Sequence, residues 1–414
     1  MPASAPSKPP RKTYHPIATI EDLQSHLQWA ISIELSTIPP YLCALYSISD
    51  SSSQAYSVIR SVAVEEMLHM MLVSNLMNSI GVSPSLSGDN VPVYPTYMPH
   101  HAAGGPYIQL QPFSAQLMTS TFMPIEQPEV SPHVPAEGDD YQTLGQFYKA
   151  IEEGFRNVVK RFGEKNVFGR DTGFQRRDTY FGIGGGHLVV VHDLESALRA
   201  IQEITEQGEG ATTPQPPLPG EEPFGGFEHY GPRPDGTYGP ILGTPWEMSH
   251  YYKFQALSSG ALASPAVYPM QANPDPAQLT GEIREASDLF DACYSLVLRG
   301  LERALGTKEQ DRSFFGVAFP VMHFALPALA TLLMQTTLRP EAQASESSLG
   351  PNAGPAFRVR NVPLKKMVRT AERLLAHPPA DRGQDYATGP WIPNLTQVVQ
   401  TLKGAAERAG KLDI

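Results

Sequence analysis

Apolar residues recur at helical spacing through much of this chain. Leu23, Leu27, Ala30, Ile31, Ile38 and Tyr41 mark one stripe and predict a helix over about 20–38. Pro39-Pro40 removes two backbone donors, so a bend is expected there before the pattern resumes over about 41–48. Val58, Val62, Val73, Leu76, Met77 and Ile80 draw the inner face of a second helix over about 54–80, stopped by Gly81. Residues 82–140 are rich in Pro, His and Gly and show no period; a connection of that length is expected to cover something or to function itself. A third helix is predicted over about 143–161, with Leu144, Tyr148, Ile151, Phe155, Val158 and Phe162 inward. A fourth is predicted over about 193–207, with Leu194, Leu198 and Ile201 inward. Residues 211–245 are another Pro/Gly-rich insertion. Helicity is expected again over about 246–257, then as a pair over about 279–305 and 314–338, with short amphipathic helices near 362–376 and 394–409.

The informative positions are those that break the stripes. Glu34 sits in the middle of the first apolar face, and Glu65, Glu66 and His69 interrupt the second. A carboxylate at such a depth must be neutralised or paired, and a metal ion is one partner that would justify it. Glu66-Met67-Leu68-His69 is an E-x-x-H spacing, which sends both side chains from adjacent turns in one direction. Four-helix di-metal carboxylate proteins take one Glu from each of two helices and a Glu-x-x-His from each of the other two. The first two helices can therefore supply half of such a site. On the third helix Glu152 lies at the margin of the inner face and Glu153 points away, so Glu152 is the candidate there and Glu153 its alternative.

Composition narrows the function classes. The 414 residues are 41% hydrophobic, enough for one large domain or two smaller ones. A net charge of −11 without a basic stripe argues against nucleic acid as a partner. Cys43 and Cys293 are far apart and read as buried small hydrophobes rather than a disulfide framework. The segment Gly182 to Gly186 lacks the Lys-Ser/Thr of a phosphate loop and reads as a turn. The first 15 residues have no apolar core for a secretory signal and read as a disordered lead. No stretch is read as a membrane span, and a soluble cytoplasmic protein is the expectation.

Glu34-Leu35-Ser36-Thr37-Ile38-Pro39-Pro40-Tyr41-Leu42 and Glu65-Glu66-Met67-Leu68-His69-Met70 resemble the ferritin-like domain of the iminophenylpyruvate dimer synthase type, found in violacein-type indole pathways and in stand-alone relatives. Leu144 to Tyr148, Glu206 to Gly210, Ser249 to Phe254 and Gly354 to Phe357 resemble its later motifs, so that the resemblance covers residues 16–360. Gln146 departs from the pattern, which commonly has an acid there.

The resemblance implies an all-α fold: a ferritin-like four-helix bundle over 16–260 with long loop insertions, an additional helical hairpin over 261–360, and a helical tail over 361–414. It implies a non-heme di-iron centre, with manganese as the alternative, held by Glu34, Glu66, His69, Glu152, Glu206 and His250. In the fourth helix Glu203 and Glu209 are alternatives to Glu206, and Glu206 and His250 would meet across the insertion. The implied activity is an O2-dependent oxidase or oxygenase acting on a small aromatic or amino-acid-derived metabolite. A metal-dependent imine-coupling catalyst and a non-enzymatic scaffold are the rivals. The expected partners are substrate and O2, with self-association left open.

Overall fold

A computed structural model describes residues 15–101, 105–127, 141–177, 188–208, 248–308, 313–338, 352–378 and 391–409. The Gly182 to Gly186 run, Glu209 and the whole 211–245 insertion fall outside these residues.

Helix α1, Ile20–Ser47, starts where the Thr19 hydroxyl accepts the Asp22 amide at 3.1 Å, with Glu21 and Asp22 favourably placed against the helix dipole. It does not break at Pro39-Pro40 as expected but continues unbroken to Ser47. The carbonyl that Pro40 leaves without an amide partner is that of Ser36, and the Tyr94 hydroxyl donates to it at 2.9 Å. Helix α2, Gln54–Ser79, is capped by Ser53 and closed by Gly81 at φ +93°, where Val82 N donates to Met77 O and Gly81 N to Asn78 O. Its second half is buried on all sides, so the adjacent Glu65 and Glu66 both lie inside.

The stretch after α2 is not wholly irregular. An antiparallel pair, β1 Thr96–Tyr97 and β2 Tyr107–Ile108, precedes a helical segment built from α3 Ala115–Leu117, a π-helical turn Met118–Phe122 and α4 Met123–Ile125. Helix α5, Leu144–Phe162, begins at Thr143, whose side chain accepts the Gln146 amide, while Gln146 Oε1 accepts the Gln142 amide at 2.6 Å. Gln146 thus spends its side chain on the helix start. Next come α6, Glu164–Val167, α7, Leu194–Gly208, and α8, His250–Ser259.

Helices α1, α2, α7 and α5 form a closed ring, each packing on its two neighbours; α8 packs on α2 and α7, and the α3–α4 segment packs on α8. Beyond them lie α9, Gly281–Gly306, two π-helical segments Phe314–Ala318 and Val321–Ala325 leading into α10, Leu326–Met334, then α11, Leu364–Ala376, and α12, Trp391–Ala409. The tail helices α11 and α12 pack on α9 and α10, and α10 packs on α1.

Phe314–Met334 corrects one expectation: its 21 residues are long and apolar enough to cross a bilayer. In the structure 61% of its most apolar stretch is buried within the chain, against α9, α12 and α1, and we treat it as a core helix. A widened π turn precedes both Pro320 and Pro327, whose rings cannot fill an i→i−4 bond.

Candidate metal centre

Glu34, Glu66, His69, Glu126 and His250 converge in the bundle, each 2% exposed or less. Their donor atoms form two triads, Glu34–Glu66–His69 and Glu66–Glu126–His250, with the ligand atoms of each within 4.8 Å of one another. Glu66 belongs to both. His69 Nδ1 lies 3.4 Å from Glu34 Oε2 and 4.0 Å from Glu66 Oε1. His250 Nδ1 lies 2.9 Å from Glu66 Oε1 and 3.6 Å from Glu126 Oε1. The two imidazoles stack at 5.4 Å between centroids.

Around this set a ring of hydrogen bonds fixes each ligand. The Nε2 of His69 donates to Gln207 Oε1 at 3.0 Å, and that of His250 to Glu65 Oε2 at 3.0 Å. Both rings therefore turn Nδ1 toward the carboxylates. Glu65 also accepts from Lys253 Nζ at 2.7 Å, with Lys253 fully buried. Thr37 Oγ1 donates to Glu66 Oε2 at 2.7 Å, Tyr41 to Glu126 Oε1 at 2.6 Å, and Tyr148 to Glu34 Oε1.

The electrostatics are those of a site short of positive charge. Burial pushes the Glu66 carboxyl up to about 8, reinforced by the negative charges of Glu126 and Glu34 and opposed by His250. Burial would also raise Glu34, but the hydrogen bond and charge of His69 hold it below the usual carboxylate range. Burial acts to lower both imidazoles, yet Glu34 and Glu66 raise His69, and Glu126, Glu65 and Glu66 raise His250 well above its ordinary value. Burial alone would raise Glu65, but the charge of Lys253 and the His250 contact hold it low.

The residues fit a pair of divalent cations. His250 Nδ1 is enclosed and, although 2.9 Å from a carboxylate oxygen, makes no aligned hydrogen bond. Such an atom aimed into carboxylates suits a coordinate bond better than a proton. Three carboxylates and two imidazoles suit iron or manganese, and a shared carboxylate suits two ions side by side.

Four of the six sequence candidates, Glu34, Glu66, His69 and His250, are brought together; two are not. Glu152 lies on the outer flank of α5, bonded to Lys149 Nζ at 2.9 Å and Arg156 Nη2 at 2.9 Å. The α5 side chain that reaches the cluster is Tyr148, one turn earlier. Glu206 lies on the flank of α7 and accepts from Gln202 Nε2 at 2.7 Å, whereas its neighbour Gln207 turns inward to His69. Glu126, at the end of α4, was missed because its segment has no period. Its sequence carries no signal beyond an acid following Phe122, Met123 and Ile125.

A narrow pocket of about 10 Å³, room for roughly one water, opens above the cluster. Its floor is Glu34, Glu66, His69, Glu126 and Tyr148, and its walls are the first turn of α5, Leu144 and Gly145, and the last turn of α7, Ile204, Thr205 and Gly208. A Cβ on Gly208 would sit 3.2 Å from Glu126 Oε2, so glycine lets α7 close against that carboxylate.

A family model described as ferritin-like matches residues 27–259, a span that holds all five converging residues and ends with α8. The chain is 24% identical over 397 residues to 2-imino-3-(indol-3-yl)propanoate dimerase of Chromobacterium violaceum, a match covering 89% of this chain and 35% of the dimerase. It is 27% identical over 241 residues to dichlorochromopyrrolate synthase of Lentzea aerocolonigenes, covering 47% of this chain and 23% of the synthase. The chain thus matches about a third of the length of the first and less of the second. A crystal structure of a ferritin-like protein from Caulobacter vibrioides superposes with a TM-score of 0.55 at 25% identity, covering 77% of this chain and 96% of that one.

Proposed function

The chain belongs to the ferritin-like family, and from that premise we propose that it is a non-heme di-iron oxidoreductase, using O2 to oxidise a small aromatic or amino-acid-derived metabolite. The observation that carries this reading is the pair of triads sharing Glu66. When bound, an iron pair supplies electrons to dioxygen and takes them back from substrate.

The chain's own residues do the rest. Glu34, Glu66, Glu126, His69 and His250 would hold the ions, with Glu66 common to both triads and the imidazoles offering Nδ1. The Tyr148 and Tyr41 hydroxyls orient the outer carboxylates and can pass a proton to them. Leu144 and Ile204 give the pocket apolar walls that restrict water, and Gly145 and Gly208 place no side chain at its rim.

The names of the two curated relatives favour a second reading, coupling of amino-acid-derived imines into a dimer. Metal analysis followed by activity assays separates the cases. About two irons per chain are expected after anaerobic Fe(II) reconstitution. O2 uptake with turnover of an aromatic 2-imino acid or its parent amino acid would support the oxidase. Equal turnover in the absence of O2 would favour coupling without it. Less than one metal per chain after reconstitution would overturn both.

A further inference from the structure

Two tyrosines touch the cluster, and their surroundings differ. The Tyr41 ring meets Phe122 and Phe254, both 0% exposed, and among the described residues its aromatic contacts stop there. Tyr148, which donates to Glu34, packs edge-on against Phe147 at 5.5 Å between ring centroids, and Phe147 packs edge-on against Tyr141 at 5.0 Å. Tyr141 and Phe147 both border His26, at 6.2 and 6.4 Å. His26 lies 4.4 Å from Trp29, and Trp29 stacks on His100 at 4.1 Å. Each step is a direct aromatic contact. Trp29 and His100 are half-buried, so the row runs from the cluster to the surface.

Packing alone would not orient a proton in this row, yet one is oriented. His26 Nδ1 lies 2.8 Å from the Asp22 carbonyl oxygen, which can only accept, so Nδ1 carries the hydrogen. Nε2 of the neutral ring then holds the lone pair, and the Tyr141 hydroxyl donates to it across 3.1 Å. Both side chains are buried, so Tyr141 is a phenol with a base already on its proton. Such a phenol can give up an electron and its proton together without help from water. The pocket supplies the need for a row of this kind. It has room for roughly one water, and the converging residues are 2% exposed or less, so a larger reductant must deliver electrons from a distance.

We propose that Trp29 and the Tyr141–His26 pair carry electrons inward from a small organic reductant at the surface, past Phe147 to Tyr148 and the centre, where peroxide is reduced. This rests on the metal-centre reading given above. In each passage Tyr141 yields one electron toward the centre, and its proton shifts to His26 Nε2. Trp29 returns an electron to the phenoxyl as the proton moves back, and the reductant refills Trp29. Two passages, with two protons from solvent, break the O–O bond of one peroxide and form two waters. Two molecules of a one-electron donor such as ascorbate are oxidised.

In the test, iron-loaded protein of measured metal content is mixed with hydrogen peroxide without substrate. The radical is followed by freeze-quench electron paramagnetic resonance and mapped with a nitroso spin trap and peptide mass spectrometry. Trap adducts are expected at Trp29 rather than at Tyr97 or Tyr107, which are 64% and 42% exposed and would be struck first by an oxidant formed in solution. Tyr141→Phe keeps the ring, removes the hydroxyl and should lose the Trp29 adduct. His26→Phe removes the base and should lose it too, whereas Trp29→Phe should leave a tyrosyl signal in its place. Iron bound with no protein radical, or a Trp29 adduct that survives Tyr141→Phe, would overturn the relay and leave the centre standing. Failure to take up iron would instead reject the centre, and the relay with it. Should the variants not fold, the map of the unmodified protein decides: adducts confined to Tyr97 and Tyr107 would refute the proposal.

Discussion

The hydroxyl of Tyr41 donates to Glu126 Oε1 across 2.6 Å, tying the middle of α1 to the end of α4. Tyr41 is fully buried, with Phe122 at 4.6 Å and Phe254 at 5.1 Å between ring centroids. Tyr41→Phe keeps this packing and removes only the donor. A buried carboxylate oxygen then lacks its partner, and the metal-free protein should lose about 1–3 kcal/mol. Thermal unfolding of metal-free and metal-loaded samples checks this; the loss should shrink on loading, because the ion then balances Glu126.

Stability of the metal-free protein should fall as pH rises from about 5 to 8. Glu66, ordinarily near 4.5, is pushed up to about 8, so the folded state holds the extra proton in that window and raising pH favours unfolding. The raised imidazoles of His69 and His250 act the same way: their contribution is complete below 6.5 and fades as pH climbs through their folded values. Glu34 and Glu65 are lowered and oppose this trend only below about 4.5, where their stabilisation is lost. Urea midpoints across the window should drop by a few kcal/mol in total, on the order of the shifts involved. A flat or rising profile would contradict the charge balance described for the cluster.

Glu152→Gln and Glu206→Gln should leave metal content unchanged. The Glu152 carboxylate makes surface pairs within one helix, worth roughly 0.3–0.5 kcal/mol each, so melting should barely move. Glu126→Gln, by contrast, should remove about one ion per chain, and Glu66→Ala more than one, because Glu66 serves both triads. Elemental analysis after dialysis distinguishes these outcomes.

Lys253→Met should destabilise by roughly 3–5 kcal/mol, since it takes the lysine cation away from the buried Glu65 carboxylate. Combining it with Glu65→Gln should recover most of that loss. Denaturant unfolding of the single and double variants gives the coupling directly; additive effects would show that the pair does not act as a unit.

Those of the converging residues that local spacing can announce were legible in the sequence. Glu34, Glu66 and His69 interrupt apolar stripes at helical intervals, and a stripe is visible without knowing what packs on it. The all-α bundle followed from the same periodicity, including the Gly81 stop. What failed depended on tertiary placement. The inner face of α5 was read correctly except at Phe162, which is exposed, but the group it presents to the cluster is Tyr148, which looks apolar in a stripe, so the nearest acid, Glu152, was chosen instead. At α7 the choice fell on Glu206, one residue from the inward-facing Gln207. Pro39-Pro40 looked like a break because its compensating donor, Tyr94, is remote in sequence. Glu126 reaches the site through a π-containing segment that packs on α8, not through any pattern of its own.

The origin of Glu126 and His250 bears on how many ions such a scaffold can carry. The four helices of the ring supply Glu34, Glu66 and His69, one complete triad and no more. Both remaining donors arrive on segments outside the ring: Glu126 at the end of the α3–α4 segment, and His250 on α8. On the proposed two-ion reading, nuclearity is encoded in the connections. On that reading, shortening either one would leave the Glu34–Glu66–His69 triad as the complete donor set while taking from the central bundle the partners of Tyr41 or Glu65, a route open equally to divergence and to design.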